Sequence, residues 1–365
     1  MIKPNVSPVA SCGNGKCEKG EDAKNCAIDC TKPTSNQTAP PETREIISAY
    51  VEGNPRTIIS NGDLWMNTWA DDGNLYSGWG DGNGFGSTWT DFGIAKLIGN
   101  LPQLTGENIF ADQWPPPGST SGDKGSVNNE YNDKVSSLLF MNGKLYAQIH
   151  SPLGDPLVGY LTVSNDYGRT WIRYKEQSPW ISTTAGSKTN TAAGSNFRCM
   201  FFINMGKNYE LNSDGYVYAF GIGREWGWFE GVYLAKVLEE NIMDYNSYEY
   251  FTGLNGNNPQ WSNSEADAVA VEGLTAPAQF SAIYHPGTGK YIIMNEQNIY
   301  DAPNPWGPWK LTSNWVNDGW RGYQPGIISK DTGENYFWFT IAGNPEIGND
   351  VSYQLNLGKI VLDLA

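Results

Sequence analysis

The sequence predicts an all-β protein, a five-bladed β-propeller preceded by a small disulfide-rich module. The 365 residues include 42 Gly, 21 Pro and 13% aromatic residues, a composition typical of short strands joined by turns. From about residue 46 onward, an apolar strand, a turn and a second apolar or aromatic strand recur five times. Four of the five cysteines lie within the first 30 residues, which indicates a separate small unit.

The N-terminal module is predicted to span residues 1–31, and a Pro/Thr/Ser-rich linker follows over 32–45. An even cysteine cluster in a short polar segment indicates two disulfides formed in an oxidising compartment, with the pairing open: Cys12, Cys17, Cys26 and Cys30. Residues 11–30 resemble the CGNGxCExGE-type repeats of extracellular bacterial and archaeal proteins, except that Ala23 stands where that repeat often has another Cys. The resemblance favours a role in cell-surface or protein contacts.

The acidic residues of this module are candidate calcium ligands, since calcium takes oxygen ligands: Glu18, Glu21, Asp22 and Asp29. A solvated acidic face on a disulfide knot explains them equally well. Zinc is disfavoured because the spacing lacks the paired CxxC of structural zinc sites. The sequence requires no cofactor, and a structural calcium is the one ion that its residues favour.

The charge and hydropathy of the chain exclude two classes of partner. The formal net charge of −15 would repel nucleic acid. No stretch approaches the roughly 20 apolar residues of a membrane span. With the clustered cysteines, and a polar N-terminus that we interpret as following a removed signal peptide, these features predict a secreted protein.

The hairpins of residues 46–365 also predict strand register. Residues 70–74 are a cluster of turn formers, and a hairpin that turns there pairs residues whose numbers sum to 144. This register sets Asp63 opposite Asp81. Asn142-Gly143 is a strong hairpin signal, and it sets Val135 opposite His150. A turn at 286–289 sets Gln279 opposite Glu296. Because five units of roughly 60 residues exceed a typical blade of about 40–50, some loops must be insertions, and a two-sheet sandwich is the alternative fold.

Two resemblances refine this prediction. Residues 164–171, SNDYGRTW, resemble the Asp-box of sialidase-type propellers, a folded turn that marks the fold and not the active site. Residues 62–64, 80–81, 248–253, 259–262 and 300–309 resemble secreted bacterial five-bladed propellers from a former domain of unknown function, some of which are endo-D-arabinanases. That resemblance implies that Asp63 and Asp81 are the catalytic carboxylates. The strand start reads GDLW, where D-arabinan-cleaving members read Thr/Ser-Asp-Leu-Gly, so it implies the fold more directly than the substrate.

In a propeller, the starts of the first strands and the ends of the second strands meet at one mouth, so polar residues there predict a binding site. The predicted catalytic residues are Asp63 and Asp81, with Glu130 and Glu296 in reserve; no metal ligand is predicted. The predicted substrate-binding residues are Trp65, Trp69, Trp79, Lys134, His150, Arg198, Gln279, Glu296, Tyr323 and Gln324. Each also has a structural explanation, such as a strand-end carboxylate or a buried histidine, and Cys199 is predicted to be a buried thiol.

The sequence therefore predicts a secreted, endo-acting glycoside hydrolase with a polysaccharide substrate. Two neighbouring carboxylates suit this chemistry because like charges push one pKa up, which separates an acid from a base. One alternative is a polysaccharide lyase with His150 or Tyr323 as base and Arg198 or Lys134 neutralising a uronate. The other is a lectin-like propeller that binds glycan without cleaving it.

Overall fold

The computed structural model describes residues 43–111, 133–151, 157–182, 194–223, 226–318, 322–343 and 354–365. The contacts of the chain separate it into two units, Met1–Pro41 and Glu42–Ala365, and the description below concerns the second. The predicted disulfide module, its calcium ligands, most of the linker and Glu130 lie outside the described residues.

The described residues form 26 β-strands and several short 3-10 turns, and no α-helix occurs among them. The first antiparallel group is β3 (Asn61–Asp63), β4 (Asn67–Trp69), β5 (Leu75–Gly84), β6 (Gly93–Asn100) and β7 (Gln103–Ala111). The second group is β8 (Lys134–Met141), β9 (Lys144–His150), β10 (Leu157–Ser164), β11 (Ile172–Arg173) and β12 (Ile181–Ser182). The all-β prediction is confirmed.

The remaining strands continue the same meander. The third group is β13 (Cys199–Asn204), β14 (Tyr216–Ile222), β16 (Tyr233–Leu238), β17 (Glu249–Asn255) and β18 (Asn258–Ser262), beside a two-stranded pair of β15 (Trp226–Gly231) and β19 (Thr275–Ala278). The fourth group is β20 (Ser281–His285), β21 (Lys290–Met294), β22 (Asn298–Ala302) and β23 (Lys310–Asn314). The fifth group is β24 (Tyr323–Ile328), β25 (Tyr336–Ala342), β26 (Leu355–Leu364), β1 (Ile46–Val51) and β2 (Arg56–Ile58). The fifth group therefore combines both ends of this unit.

One strand of each group, which we call its central strand, lies against the central strands of two other groups. The central strands are β4, β8, β13, β20 and β24; β4 contacts β8, β8 contacts β13, β20 contacts β24 and β24 contacts β4. β13 and β20 pair directly and in parallel, which joins the third and fourth groups into one nine-stranded sheet. The contacts thus run through all five central strands and return to the first.

Polar side chains of the central strands satisfy the backbone of the neighbouring central strand where no direct pairing exists. Thr68 Oγ1 accepts from Phe140 N at 2.9 Å, Ser137 Oγ from Phe202 N at 2.9 Å and Ser281 Oγ from Ile327 N at 2.7 Å, and Asn67 Nδ2 donates to Gly326 O at 3.1 Å. Since a buried backbone group without a partner is costly, these residues explain why the central strands carry Ser, Thr and Asn between apolar neighbours.

Apolar side chains fill the space between successive groups. Phe92 and Ile94 of the first group pack with Leu138 and Phe140 of the second. A separate cluster joins the first group to the fifth, with Trp65, Trp79 and Leu97 against Ile328, Ala342 and Leu355. Burial of apolar area on both faces of most strands explains why they read as continuous hydrophobic runs and not as alternating ones.

The turn after β10 is fixed by its own polar side chains. Asp166 accepts hydrogen bonds from Thr170 N at 2.9 Å and from Thr170 Oγ1 at 2.7 Å, and Ser164 Oγ accepts from Gly168 N at 2.7 Å. Trp171 packs against Phe92 and Phe110. The residues of the predicted Asp-box therefore stabilise a turn and contribute to packing.

Candidate functional site

Each of the five groups contributes one buried polar residue at or just before the start of its central strand. These are Asp63 at the end of β3, Lys134 at the start of β8, Arg198 just before β13, Gln279 just before β20 and Gln324 in β24. All five are buried, with at most 7% of their surface exposed. Buried polar side chains are normally hydrogen-bonded, so such a concentration at corresponding strand positions marks a candidate site.

The first hairpin brings Asp63 and Asp81 together, but not in the predicted register. Near the turn, Asn67 pairs with Ser77 as predicted, whereas a register shift further along sets Asp63 opposite Gly80. In a regular strand, Asp81 would then face away from Asp63. Its backbone has φ of 49°, in the left-handed region, which breaks the alternation of side chains.

Gly80 leaves room for the Asp63 carboxylate. A Cβ at residue 80 would lie 3.1 Å from Asp63 Oδ1 and 3.0 Å from the carbonyl oxygen of Asp91. A larger residue here would displace the carboxylate or the backbone beside it. The close approach at Gly80 therefore fixes the position of Asp63.

Lys134, which belongs to the second group of strands, binds two carboxylates of the first group. Its Nζ donates to Asp81 Oδ1 and, at 2.5 Å, to Asp91 Oδ1. The side chains of Lys134 and Asp91 are 8% and 9% exposed, whereas that of Asp81 is 41% exposed. Asp81 is therefore the carboxylate of this trio that faces solvent.

The surroundings shift the pKa values of the two predicted catalytic residues in opposite directions. Burial, followed by the negative charge of Asp81, raises the pKa of Asp63 well above its usual value. Burial also acts to raise the pKa of Asp81, but the charge of Lys134 and the hydrogen bonds from Asp91 and Lys134 outweigh it, so the pKa of Asp81 is lowered. Asp63 thus retains a proton under conditions where Asp81 is an anion.

One oxygen of the Asp63 carboxyl group is left without a hydrogen-bond partner in the described part of the chain. Its Oδ1 atom is buried and has no hydrogen-bond partner among the described residues. Leaving such an atom without a partner costs about 1–3 kcal/mol. A bound hydroxyl or glycosidic oxygen would remove that cost.

Asp91 is a functional candidate that the sequence analysis missed. It lies in the loop before β6, and burial, followed by a hydrogen bond with Asp81, raises its pKa to about 7. Nothing in the local sequence WTDF distinguishes this residue from a turn former. The available signal was indirect, since a lysine at the start of a mostly apolar strand requires a carboxylate partner if it is buried.

Asp133, next to Lys134, was also missed. It is buried, and it accepts hydrogen bonds from Ser151 Oγ, from Tyr160 OH at 2.5 Å and from Lys175 Nζ at 3.3 Å. Burial, though opposed by Lys175, raises its pKa. This cluster fixes the start of β8 and so the backbone from which Lys134 extends.

His150 and Arg198 lie beside Lys134. Lys134 is the register partner of His150, and Val135 faces Ile149, so the predicted pairing of Val135 with His150 is wrong by one residue because a bulge lies between Val135 and Ser137. His150 is fully buried and bonded to Ser136 Oγ at 2.7 Å. Burial, then the charges of Arg198 and Lys134, lowers its pKa well below the usual value, which keeps it neutral.

The guanidinium of Arg198 is held by backbone carbonyls. Its Nε donates to Gly223 O at 3.0 Å and a terminal nitrogen to Ser151 O at 3.5 Å. These bonds join the start of β13 to the ends of β9 and β14. Arg198 therefore links the second and third groups at the level of the site.

The fourth and fifth groups contribute amides. Gln324 has φ of 51°, and its backbone N donates to Glu296 Oε1 at 3.4 Å. The side-chain oxygen of Gln279 and both polar side-chain atoms of Gln324 are buried with no hydrogen-bond partner among the described residues. Ser281 pairs with Met294, the register that the sequence predicted for this hairpin, and Gln279 and Glu296 lie just beyond the paired residues. Tyr323 is half-buried and contacts the cluster that joins the first and fifth groups.

Two of the three predicted sugar platforms are wrong. Trp65 and Trp79 are fully buried, stack on each other with ring centroids 6.4 Å apart, and donate their indole N–H groups to Gly62 O and Gly82 O. Their faces fill the core between the first and fifth groups and are not accessible to a sugar ring. Trp69 is half-buried and contacts the same core.

The described residues contain no group of three or more His, Cys, Asp or Glu side chains arranged to hold a metal ion. Within the same ranges, no helix is long and apolar enough to cross a membrane.

A family model described as "Domain of unknown function (DUF4185)" matches residues 146–340, more than half of the chain. The matched segment contains His150, Arg198, Gln279, Glu296, Tyr323 and Gln324, and it begins after Asp63, Asp81 and Lys134. No curated protein matches the chain.

Three solved structures are similar to this chain in the path of the backbone. A family 117 glycoside hydrolase from Zobellia galactanivorans has a TM-score of 0.47 and 10% identity, covering 87% of this chain and 91% of that chain. An α-L-arabinofuranosidase from Podospora anserina has a TM-score of 0.44 and 9% identity, covering 87% and 97%. A family 62 α-L-arabinofuranosidase from Coprinopsis cinerea has a TM-score of 0.43 and 9% identity, covering 90% and 99%.

Proposed function

We propose a function for this chain from the premise that it belongs to the DUF4185 family, whose domain has no assigned function. The chain is a glycoside hydrolase that cleaves internal bonds of a polysaccharide, and its five groups of strands are the blades of a five-bladed β-propeller. The contacts through all five central strands support the propeller arrangement. The site lies at the starts of those strands.

The observation that carries this proposal is that two neighbouring carboxyl groups lie in opposite environments, one buried and one partly exposed beside a lysine. Asp63 is buried, carries a raised pKa and offers an unpartnered oxygen, whereas Asp81 is partly exposed and carries a lowered pKa. Glycoside hydrolysis needs a protonated carboxyl and a carboxylate on either side of one glycosidic bond. Environments that separate two carboxyl pKa values identify which group has which role.

In the proposed reaction, Asp63 protonates the leaving glycosidic oxygen as the general acid. Asp81 acts from the solvent side, either as the nucleophile of a retaining enzyme or as the base that activates water in an inverting one. The stereochemistry of the first product distinguishes these two roles. Lys134 keeps Asp81 ionised in both.

The other buried polar groups are assigned to substrate binding. The unpartnered amide atoms of Gln279 and Gln324 suit sugar hydroxyls, which both donate and accept hydrogen bonds. Tyr323 and Trp69 are the partly exposed aromatic candidates for contact with a sugar ring. Arg198, Lys134 and His150 support these groups from the second and third blades.

Features of the sequence outside the described residues complete the proposal. The protein is secreted, the cysteine module contains two disulfides and contacts a cell surface or another protein, and any calcium is bound there. Within the described residues, we assign the turn at 164–171 as an Asp-box. The lyase alternative has less support, because both cations predicted to neutralise a uronate are already engaged: the Lys134 ammonium contacts two carboxylates, and the Arg198 guanidinium donates to the carbonyl oxygens of Gly223 and Ser151.

The test is a screen of the purified protein against plant, algal and bacterial polysaccharides, reading reducing ends and unsaturated uronates in parallel. We expect new reducing ends without unsaturated products. Asp63→Asn and Asp81→Asn should each lower turnover by at least about 100-fold, the smaller effect of losing an acid–base group.

Asp71→Asn is the matched control, because Asp71 lies in the turn of the same hairpin and, among the described residues, accepts only an exposed hydrogen bond from Tyr167 OH at 2.9 Å. It should retain wild-type turnover. Unsaturated products would instead establish a lyase, and binding without any product would establish a lectin. Full activity in both Asn variants would refute the assigned pair.

A further inference from the structure

Asp91, the carboxyl group beside the proposed catalytic pair, does not form an ordinary ion pair of one carboxylate with one cation. A single ammonium, that of Lys134, contacts both Asp81 and Asp91, and each carboxylate approaches it through one oxygen. If all three groups were ionised, the trio would carry one uncompensated negative charge at a mostly buried position. Burying such a charge is unfavourable, so a proton is favoured on one carboxylate.

The position of the two carboxyl groups also favours a proton on one of them. Asp81 Oδ1 and Asp91 Oδ1 contact the same Lys134 nitrogen, so the two carboxyl groups lie side by side. Two neighbouring carboxyl groups can hydrogen-bond to each other only when one of them carries the proton between them. Because Asp91 is 9% exposed and Asp81 41% exposed, the proton belongs on Asp91 and the charge on Asp81.

The charged and titratable groups around Asp91 also favour a proton on its carboxyl group. Asp63 from β3, Asp81 from β5 and Lys134 from β8 are the charged or titratable side chains that act on this cluster. His150, which pairs with Lys134, is kept neutral by burial and by the neighbouring cations. With the proton in place, the trio has no net charge, and the Asp81 anion helps Asp63 to stay protonated.

We propose that Asp91 is a positioning residue: it holds one proton against Asp81, shares Lys134 with it, and so keeps Asp81 an oriented anion beside the protonated Asp63. The role in turnover rests on the hydrolase function proposed above. The shared proton itself does not. When Asp91 loses that proton, its hydrogen bond to Asp81 is lost, the two anions repel each other, and Lys134 is divided between them.

Asp91→Asn tests this with an isosteric group that still donates a hydrogen bond to residue 81 but cannot ionise. Asp301→Asn is the matched control, since Asp301 is also buried and bonded to a lysine, Lys290, at 2.6 Å, but belongs to β22. The first readout is a pH titration of the aspartate side-chain carboxyl resonances in protein labelled with carbon-13 at Asp. It needs no substrate.

Because the pKa of Asp63 is also raised, the step of Asp91 is assigned by its loss: we expect an aspartate step near pH 7 in the wild type, in Asp63→Asn and in Asp301→Asn, and its disappearance in Asp91→Asn. Asp81→Asn offers a second variant: an amide donor at residue 81 favours ionised Asp91, so the step should move down by about one pH unit or more. A step near pH 7 that persists in Asp91→Asn and is lost in Asp63→Asn, a step unmoved in Asp81→Asn, or no aspartate step above about pH 6 in the wild type overturns the proposal.

The second readout is the pH dependence of kcat on whichever polysaccharide the wild type hydrolyses. Asp91→Asn should retain most of the wild-type kcat at pH 5, while its alkaline limb loses one of two ionisations and becomes less steep. A purely structural Asp91 would lower stability without changing the shape of that limb, and an unchanged shape therefore overturns the positioning role. If no polysaccharide is cleaved, the hydrolase proposal fails, whereas the titration still decides on the shared proton.

Discussion

Replacing Thr68 by Val would test whether side-chain bridges hold the central strands together. Thr68 is 1% exposed; its hydroxyl donates to Asn204 Oδ1 at 2.6 Å and accepts from Phe140 N at 2.9 Å. Valine has nearly the same shape, so the substitution removes both hydrogen bonds and creates little cavity.

The expected loss follows from the two groups left behind. Phe140 N–H and Asn204 Oδ1 would both remain buried without this partner, and each such group costs about 1–3 kcal/mol, so the free energy of unfolding should fall by about 2–6 kcal/mol. That is a large part of the roughly 5–15 kcal/mol that stabilises a typical domain.

The assay is urea unfolding followed by tryptophan fluorescence. Thr68→Ser keeps the hydroxyl and should lose only about 1 kcal/mol for its missing methyl group. Thr105→Val, on the exposed side of β7, should stay within about 0.5 kcal/mol of the wild type. A Thr68→Val protein as stable as the wild type, or no more destabilised than Thr68→Ser, would refute the bridging role.

Three further outcomes are expected. Lys134→Met leaves Asp81 and Asp91 without their cation, which raises the pKa of both carboxyl groups. The free energy of unfolding should therefore fall by about 3–5 kcal/mol at pH 8, where the carboxyl groups ionise, and by less at pH 5. Urea unfolding at the two pH values measures this difference. Gly80→Ala should lower kcat by about 10–100-fold, because its Cβ would meet Asp63 Oδ1 at 3.1 Å; an unchanged kcat on the hydrolysed polysaccharide argues against the constraint on Asp63. The pKa of Asp63 is higher in the folded than in the unfolded protein, so its contribution to stability is complete below the unfolded pKa of about 3.9 and is lost as the pH rises through the folded pKa. Asp63→Asn should therefore unfold at a higher temperature than the wild type at pH 8 but not at pH 4. Equal shifts of the unfolding temperature at both pH values would contradict the raised pKa.

Much of the strand order could be predicted from local sequence. Asn142-Gly143 forms the predicted turn between β8 and β9, with φ of 52° and 73°, because these residues tolerate the left-handed region that such a turn requires. The last strand, β26 (Leu355–Leu364), likewise follows from a local run of mostly apolar residues. Turn chemistry and apolar runs act over a few residues, so the sequence alone is sufficient for them.

Register further from each turn could not be predicted in the same way. The first two hairpins follow the predicted register near the turn and then shift by one residue, so that Asp63 faces Gly80 and Lys134 faces His150. A bulge in one strand depends on which backbone groups the neighbouring strands satisfy. That requirement is not encoded within the hairpin.

The sequence by itself determined that the chain is all-β, which segments form hairpins, and that polar residues stand at the starts of successive central strands. Only the tertiary structure decided that Trp65 and Trp79 are core residues and that Asp91 joins Asp81 on Lys134. The difference has a physical reason. Secondary structure follows from alternation and turn residues a few positions apart, whereas burial and pKa depend on groups separated by tens to hundreds of residues, whose approach is set by packing.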